Sequence, residues 1–193
     1  GTTGPKRTPV AAAALLTSPG DYLYFRGGIY NIDTPSSSRS VAIYPRADHC
    51  TFMPYNGEAV TLQGSSVGNY GVAPTNGVIG VGSRSYTMID GFTIKGIVML
   101  DGPGGYNTVQ NCDISVGCDS WTGNEQGELI WVQADTVTDV WQHHFTIKNC
   151  KIHDNGIPEY GGGNAAMVFT YKGTNGLIEN CEIYNSQGPG VYF

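Results

Sequence analysis

The phrase IKNCKI at residues 147–152 has two near copies, VQNCDI at 109–114 and IENCEI at 178–183. Each sets Asn-Cys between an apolar residue and an isoleucine, with polar or charged residues in the alternate places. Such alternation marks strands with one buried face. In IKNCKI it turns Ile147, Cys150 and Ile152 inward and Lys148 outward, with Asn149 at a bend. Asparagine is one of the few non-glycine residues that enter the left-handed conformation a one-residue bend needs. Its amide can also hydrogen-bond to the asparagine of the next copy, which accounts for Asn111, Asn149 and Asn180 without a catalytic role. Cysteine, small and apolar in behaviour, suits the inner column. IDGFTI at 89–94 fits the same frame, with Gly91 for the asparagine and Phe92 for the cysteine. The column then runs 92, 112, 150, 181, at intervals too irregular for helical repeats of fixed length. Constant strands joined by turns of variable length describe a coil.

A further strand precedes each phrase. GELIWVQ from Gly127, AAMVFTY from Ala165 and GPGVYF from Gly188 align, with Ile130, Val168 and Val191 inward and Val98 joining them from IVMLDG. Three short parallel strands per turn, stacked about 4.8 Å apart, make an all-β right-handed parallel β-helix, a solenoid. Residues 1–193 then form one domain, with 1–18 as a cap and 19–193 as coils. The Ala-rich stretch 9–16 predicts a short capping helix over the open edge of the first coil. Gly, Ser and Asn dominate 65–85, which reads as a long loop. At the other end, Val191-Tyr192-Phe193 would leave unpaired strand groups, so the native protein is expected to continue, or two chains to abut there.

Composition agrees and narrows the partners. Charged residues are 13% of the chain against 28 glycines and 12 tyrosines, which favours short strands and turns over long helices. A formal charge of −6 with no basic stripe removes nucleic acid from the expected partners. No apolar run approaches the ~20 residues of a membrane span, so no membrane partner is expected. Five cysteines cannot all pair, so free buried thiols are expected at Cys112, Cys150 and Cys181.

GDYLYFRGGIY from Gly20, TFMPYNGEAVTLQG from Thr51 and the NC phrases resemble the pectate-lyase-like single-stranded right-handed β-helix superfamily. The resemblance runs from about Pro19 to the end and is specific for fold. It implies a polysaccharide-active setting, since the superfamily holds lyases, pectin-active hydrolases, epimerases, tailspikes and β-helix carbohydrate-binding modules. It also implies that a sugar chain lies along the face of the strand preceding each phrase.

On that face the alignment puts Met99, Trp131, Phe169 and Tyr192 in one outward column, with Gln133 and Tyr171 in the next outward positions. Aromatic rings in register can form a platform for the C–H faces of pyranose rings, unless a turn folds over and buries it. The expected function is therefore non-catalytic recognition of a plant cell-wall polysaccharide such as xylan. Such a module would be attached to the catalytic domain of a secreted bacterial enzyme system, and the low cation content favours a weakly charged polymer. A lyase acting by β-elimination on uronate polymers is the alternative. It would draw on Lys172 as base, with Asp101, Glu125, Glu128 and Asp135 as the nearest carboxylates, possible calcium ligands. A glycosidase would need paired carboxylates, for which only Asp101 and Asp135 offer themselves. A structural or adhesive β-helix, tailspike-like, is the third class. No catalytic residue, cofactor or metal site is expected. Histidines 143 and 144, as strand neighbours, should point to opposite faces, and His153-Asp154 reads as a surface turn. Arg26 reads as an outward residue of the first coil.

Overall fold

The column of inward residues, followed from coil to coil, builds the molecule. The computed structural model describes residues 8–33, 41–64, 77–115, 128–133, 141–155, 166–186 and 188–193. Among them the strands form three parallel sheets of six, and each sheet receives one strand from every turn of the chain. The first sheet holds Tyr22–Phe25, Thr51–Pro54, Met88–Asp90, Thr108–Gln110, Thr146–Lys148 and Leu177–Glu179. The second holds Gly28–Ile32, Val60–Gly64, Thr93–Lys95, Asp113–Ser115, Lys151–His153 and Glu182–Tyr184. The third holds Val41–Ile43, Gly77–Gly80, Ile97–Asp101, Ile130–Gln133, Val168–Tyr171 and Val191–Tyr192. This is the expected all-β right-handed parallel β-helix.

Register sets the core. Leu23, Phe52, Ile89, Val109, Ile147 and Ile178 pair in sequence down the first sheet. Tyr30, Leu62, Ile94, Ile114, Ile152 and Ile183 do so in the second. Ile43, Ile79, Val98, Ile130, Val168 and Val191 complete the third. All three columns meet in one apolar cluster along the axis. The helix Pro9–Ala13 closes one end, with the Thr8 hydroxyl accepting from the Ala11 amide at 3.2 Å. Ala13 and Leu16 drop into the core. The segment expected to be loop to residue 85 instead returns to the third sheet at Gly77–Gly80. Glycines at 77 and 80 hid that strand, and close packing explains them: a Cβ on Gly77 would lie 2.7 Å from the Met99 side chain.

The repeated phrase behaves as its chemistry demands. Asn111, Asn149 and Asn180 have φ of 54°, 54° and 52°. The Asn149 amide donates to the Asn111 Oδ1 at 3.3 Å, and that of Asn111 to the Asp90 Oδ1 at 2.7 Å. Each following thiol donates across the bend to the carbonyl two residues back: Cys112 to Gln110, Cys150 to Lys148, Cys181 to Glu179, at 3.1–3.3 Å. The three thiols are free. Cys112 and Cys150 are buried as expected, whereas Cys181, on the last coil, is partly exposed. The hydrogen bond with Cys150 and desolvation push the Cys112 thiol pKa up. Asn149→Ala, which must hold a left-handed bend with an ordinary Cβ, should cost about 1–2 kcal/mol in urea unfolding. Asn149→Gly should lose less.

Candidate functional site

The outer face of the third sheet carries the column the alignment named. Met99 pairs with Trp131, Trp131 with Phe169 and Phe169 with Tyr192. These side chains stand apart from the axial core, in a second apolar cluster with Val41, Ile97 and Ala166, against which Tyr44 packs. The rings continue from one to the next: Trp131 meets Phe169 edge-on at 6.5 Å, and Phe169 stacks on Tyr192 at 5.2 Å. Register and accessibility part company here. Met99, Trp131 and Phe169 are 1%, 3% and 8% exposed, so the open ring of the column is Tyr192, at 42%. Backbone positions of Gln133 and Tyr171 are paired with one another on the same sheet.

Two carboxyls accompany this face. Glu128 is fully buried, and neither carboxylate oxygen has a hydrogen-bond partner among the described residues. Desolvation pushes its pKa up to about 7. Asp101, paired in register with Gln133, is raised by burial to about 6, against the pull of the Gly82 backbone amide. Lys172 lies with its ammonium 4.6 Å from the centre of the Trp141 ring. Glu125 and Asp135 lie outside the described residues. Among those that are described, no three His, Cys, Asp or Glu side chains converge as a metal site would require. Among the described residues no helix is long and apolar enough to cross a membrane.

Further exposed aromatic rings lie away from this face. Tyr22, Tyr24 and Tyr55 form a group at the capped end. Tyr22 and Tyr24 point outward two residues apart on one strand, with ring centres 5.9 Å apart and planes 12° from parallel. Tyr55 meets Tyr24 edge-on at 6.1 Å. Arg26 lies over the Tyr55 ring at 5.4 Å and pairs with Glu58 at 2.9 Å, so its charge is neutralised. GDYLYFRGG carries this signal in its alternating tyrosines, Tyr22 and Tyr24.

A second ladder runs along the corner before the first sheet. His49 stacks on Tyr86 at 4.4 Å, Tyr86 on Tyr106 at 4.8 Å and Tyr106 on His144 at 4.8 Å, all within 12° of parallel. Their φ values are 59°, 57°, 58° and 52°. Each precedes an inward residue of the first sheet by three positions (Phe52, Ile89, Val109, Ile147), an offset legible once the register is known. The left-handed bend also overturns the expectation for the adjacent histidines. His144 is not in a strand, and its ring turns to meet that of His143, Nδ1 to Nδ1 at 3.0 Å.

On the outer face of the second sheet, His153 is held between two carboxylates. Its Nδ1 meets the Asp154 Oδ2 at 2.7 Å and its Nε2 the Asp113 Oδ1 at 2.9 Å. Both partners are carboxylates, so the arrangement favours the doubly protonated imidazole, whose two N–H groups can both donate. Burial pulls its pKa down, but the two hydrogen bonds outweigh that and raise it. Tyr184 stacks on the ring at 4.7 Å, and Asn185 donates to the Asp154 Oδ1 at 2.9 Å. The surface turn is thus a clamp joining successive coils.

A protein-family model described as a right handed beta helix region matches residues 40–193. No curated protein and no solved structure matches the chain.

Proposed function

The chain belongs to the right-handed β-helix family, and from that premise we propose that it is a non-catalytic carbohydrate-binding module. Its ligand is a weakly charged plant cell-wall polysaccharide such as xylan, and its setting a secreted bacterial polysaccharide-degrading system. The observation that carries the reading is the tyrosine group at the capped end. Tyr22, Tyr24 and Tyr55 are 57%, 52% and 43% exposed, clustered, and set on strand and turn backbone rather than on a long loop. Aromatic rings offer a sugar an apolar face while each phenol hydroxyl can bond to its oxygens. The Arg26–Glu58 pair neutralises the cation beside them and the Asp21 carboxylate precedes Tyr22, which suits a neutral polymer better than a uronate chain. Tyr192 is a separate exposed ring at the other end of the coil, on the third sheet.

The test is a panel of insoluble xylan, cellulose, pectate and alginate, scored for retention, for new reducing ends and for ultraviolet absorbance of an unsaturated product. Retention on xylan is expected, with at least a tenfold loss in the triple variant Tyr22→Ala, Tyr24→Ala, Tyr55→Ala and no chemical product. Failure to be retained on any polymer would sink the binding reading. Absorbance growing on pectate would replace it with β-elimination, for which the raised carboxyl of Asp101 and the ammonium of Lys172 would be the groups to remove next.

A further inference from the structure

We propose that His143 and His144 form a bidentate site for a divalent transition-metal ion, with copper(II) preferred. The two Nδ1 atoms are 3.0 Å apart. At metal–nitrogen bonds of about 2.0–2.1 Å, two imidazoles at a right angle have nitrogens about 2.9 Å apart, and tetrahedral ones about 3.3 Å. The observed separation therefore fits the right-angled coordination of copper(II) or nickel(II), whose ligand preference is also for imidazole.

Packing holds both rings near this arrangement before any ion arrives, leaving only their terminal torsions to adjust. His144 is stacked flat on Tyr106, 12° from parallel, while His143 stands edge-on to the same tyrosine at 5.3 Å and 89°. His143 also lies against Gly105 of the preceding coil, so closely that a Cβ there would come within 2.3 Å of its ring. One tyrosine and one glycine thus set the pair at right angles to each other, 89° between planes. His144 is exposed and His143 partly so, which leaves the remaining coordination positions to water. The terminal torsion of a histidine is soft, so a small turn of each ring opens the notch between the nitrogens. In the unloaded pair one Nδ1 carries a hydrogen and the other accepts it. On binding, that ring moves its proton to Nε2 through solvent, and the ion takes two neutral imidazoles.

The left-handed bend recurs at this place in every coil, at Gly20, His49, Tyr86, Tyr106, His144 and Asn175, so the fold itself carries the His144 ring onto Tyr106. The aromatic ladder ends on the histidine pair.

Titration of the untagged full chain with copper(II) chloride and zinc chloride, near pH 7 in a non-chelating buffer, tests the site. One saturable copper(II) equivalent is expected, tighter than zinc, with hyperfine coupling to two nitrogens in the paramagnetic resonance spectrum. His144→Asn keeps a residue that tolerates the bend, and His143→Gln keeps a polar side chain; each should weaken copper binding at least tenfold with the circular dichroism unchanged. His153→Asn and His49→Asn should leave it as in the parent. Absence of a saturable equivalent, or one that survives in the folded double variant His143→Gln/His144→Asn, overturns the assignment. Loss on His153→Asn alone would do the same by moving the ion to the Asp113–His153–Asp154 clamp. Retention on polysaccharide should be equal with and without copper, so failure here is distinct from failure of the binding module.

Discussion

Unfolding free energy should fall as pH rises from about 4 to 7, and Glu128→Gln should remove much of that slope. Glu128 and Asp101 have native pKa values raised by burial to about 7 and about 6. Between their unfolded and native values the native state holds more protons than the unfolded one, so stability declines with pH across that window and then levels. Each tenfold shift of a proton equilibrium is worth about 1.4 kcal/mol, which makes each carboxyl responsible for on the order of 3 kcal/mol. His153 acts in the same direction at higher pH. Its native pKa is raised, so the stability its two hydrogen bonds provide is complete below its unfolded value and is lost as pH climbs through the native one. Glu58 and Asp154, lowered by Arg26 and His153, pull the other way below about pH 4.5, but both are open to solvent and weakly felt. Urea titrations at pH 4.5 and 8 check the sign. Glu128→Gln should match the parent at the lower pH and exceed it by on the order of 3 kcal/mol at the higher. A parent more stable at pH 8 than at 4.5 would show that Glu128 is not held neutral in the folded chain.

Trp131→Ala should cost stability, not affinity. The ring is 3% exposed, set between Met99 and Phe169 in the outer cluster, and a truncation there leaves a cavity in a packed apolar layer. Losses of about 3–5 kcal/mol are usual for such a change. Retention on xylan per folded molecule should remain as in the parent. Tyr22→Ala and Tyr24→Ala should do the reverse, since rings more than half exposed contribute little to the core. A Trp131→Ala chain that folds with parental stability and no longer binds would return the binding surface to the third-sheet column. That pairing of variants separates a platform from a packing layer more directly than either alone.

Architecture was legible because the β-helix repeats its own grammar. The NC phrases located the bend at Asn149 and the inward places of Cys150 and Ile152, and by alignment the columns through Ile130 and Trp131. Period-two alternation reports which side of a strand a residue takes, and all four members of the outer column did pair in register. It cannot report what lies over that side. Whether Trp131 meets water or protein depends on neighbours distant along the chain, among them Val41 and Tyr44. The same limit hid the strand Gly77–Gly80, whose glycines make sense only against Met99, and set the histidines wrongly apart. Local sequence therefore determined the coil, its bends and its inner columns, since these rest on backbone preference and burial of alternate residues. Tertiary structure alone decided which aromatic rings are open, which carboxyls are stranded, and that His143 and His144 face each other. Those are properties of packing between coils, where residues 20 to 40 apart become neighbours at strand spacing.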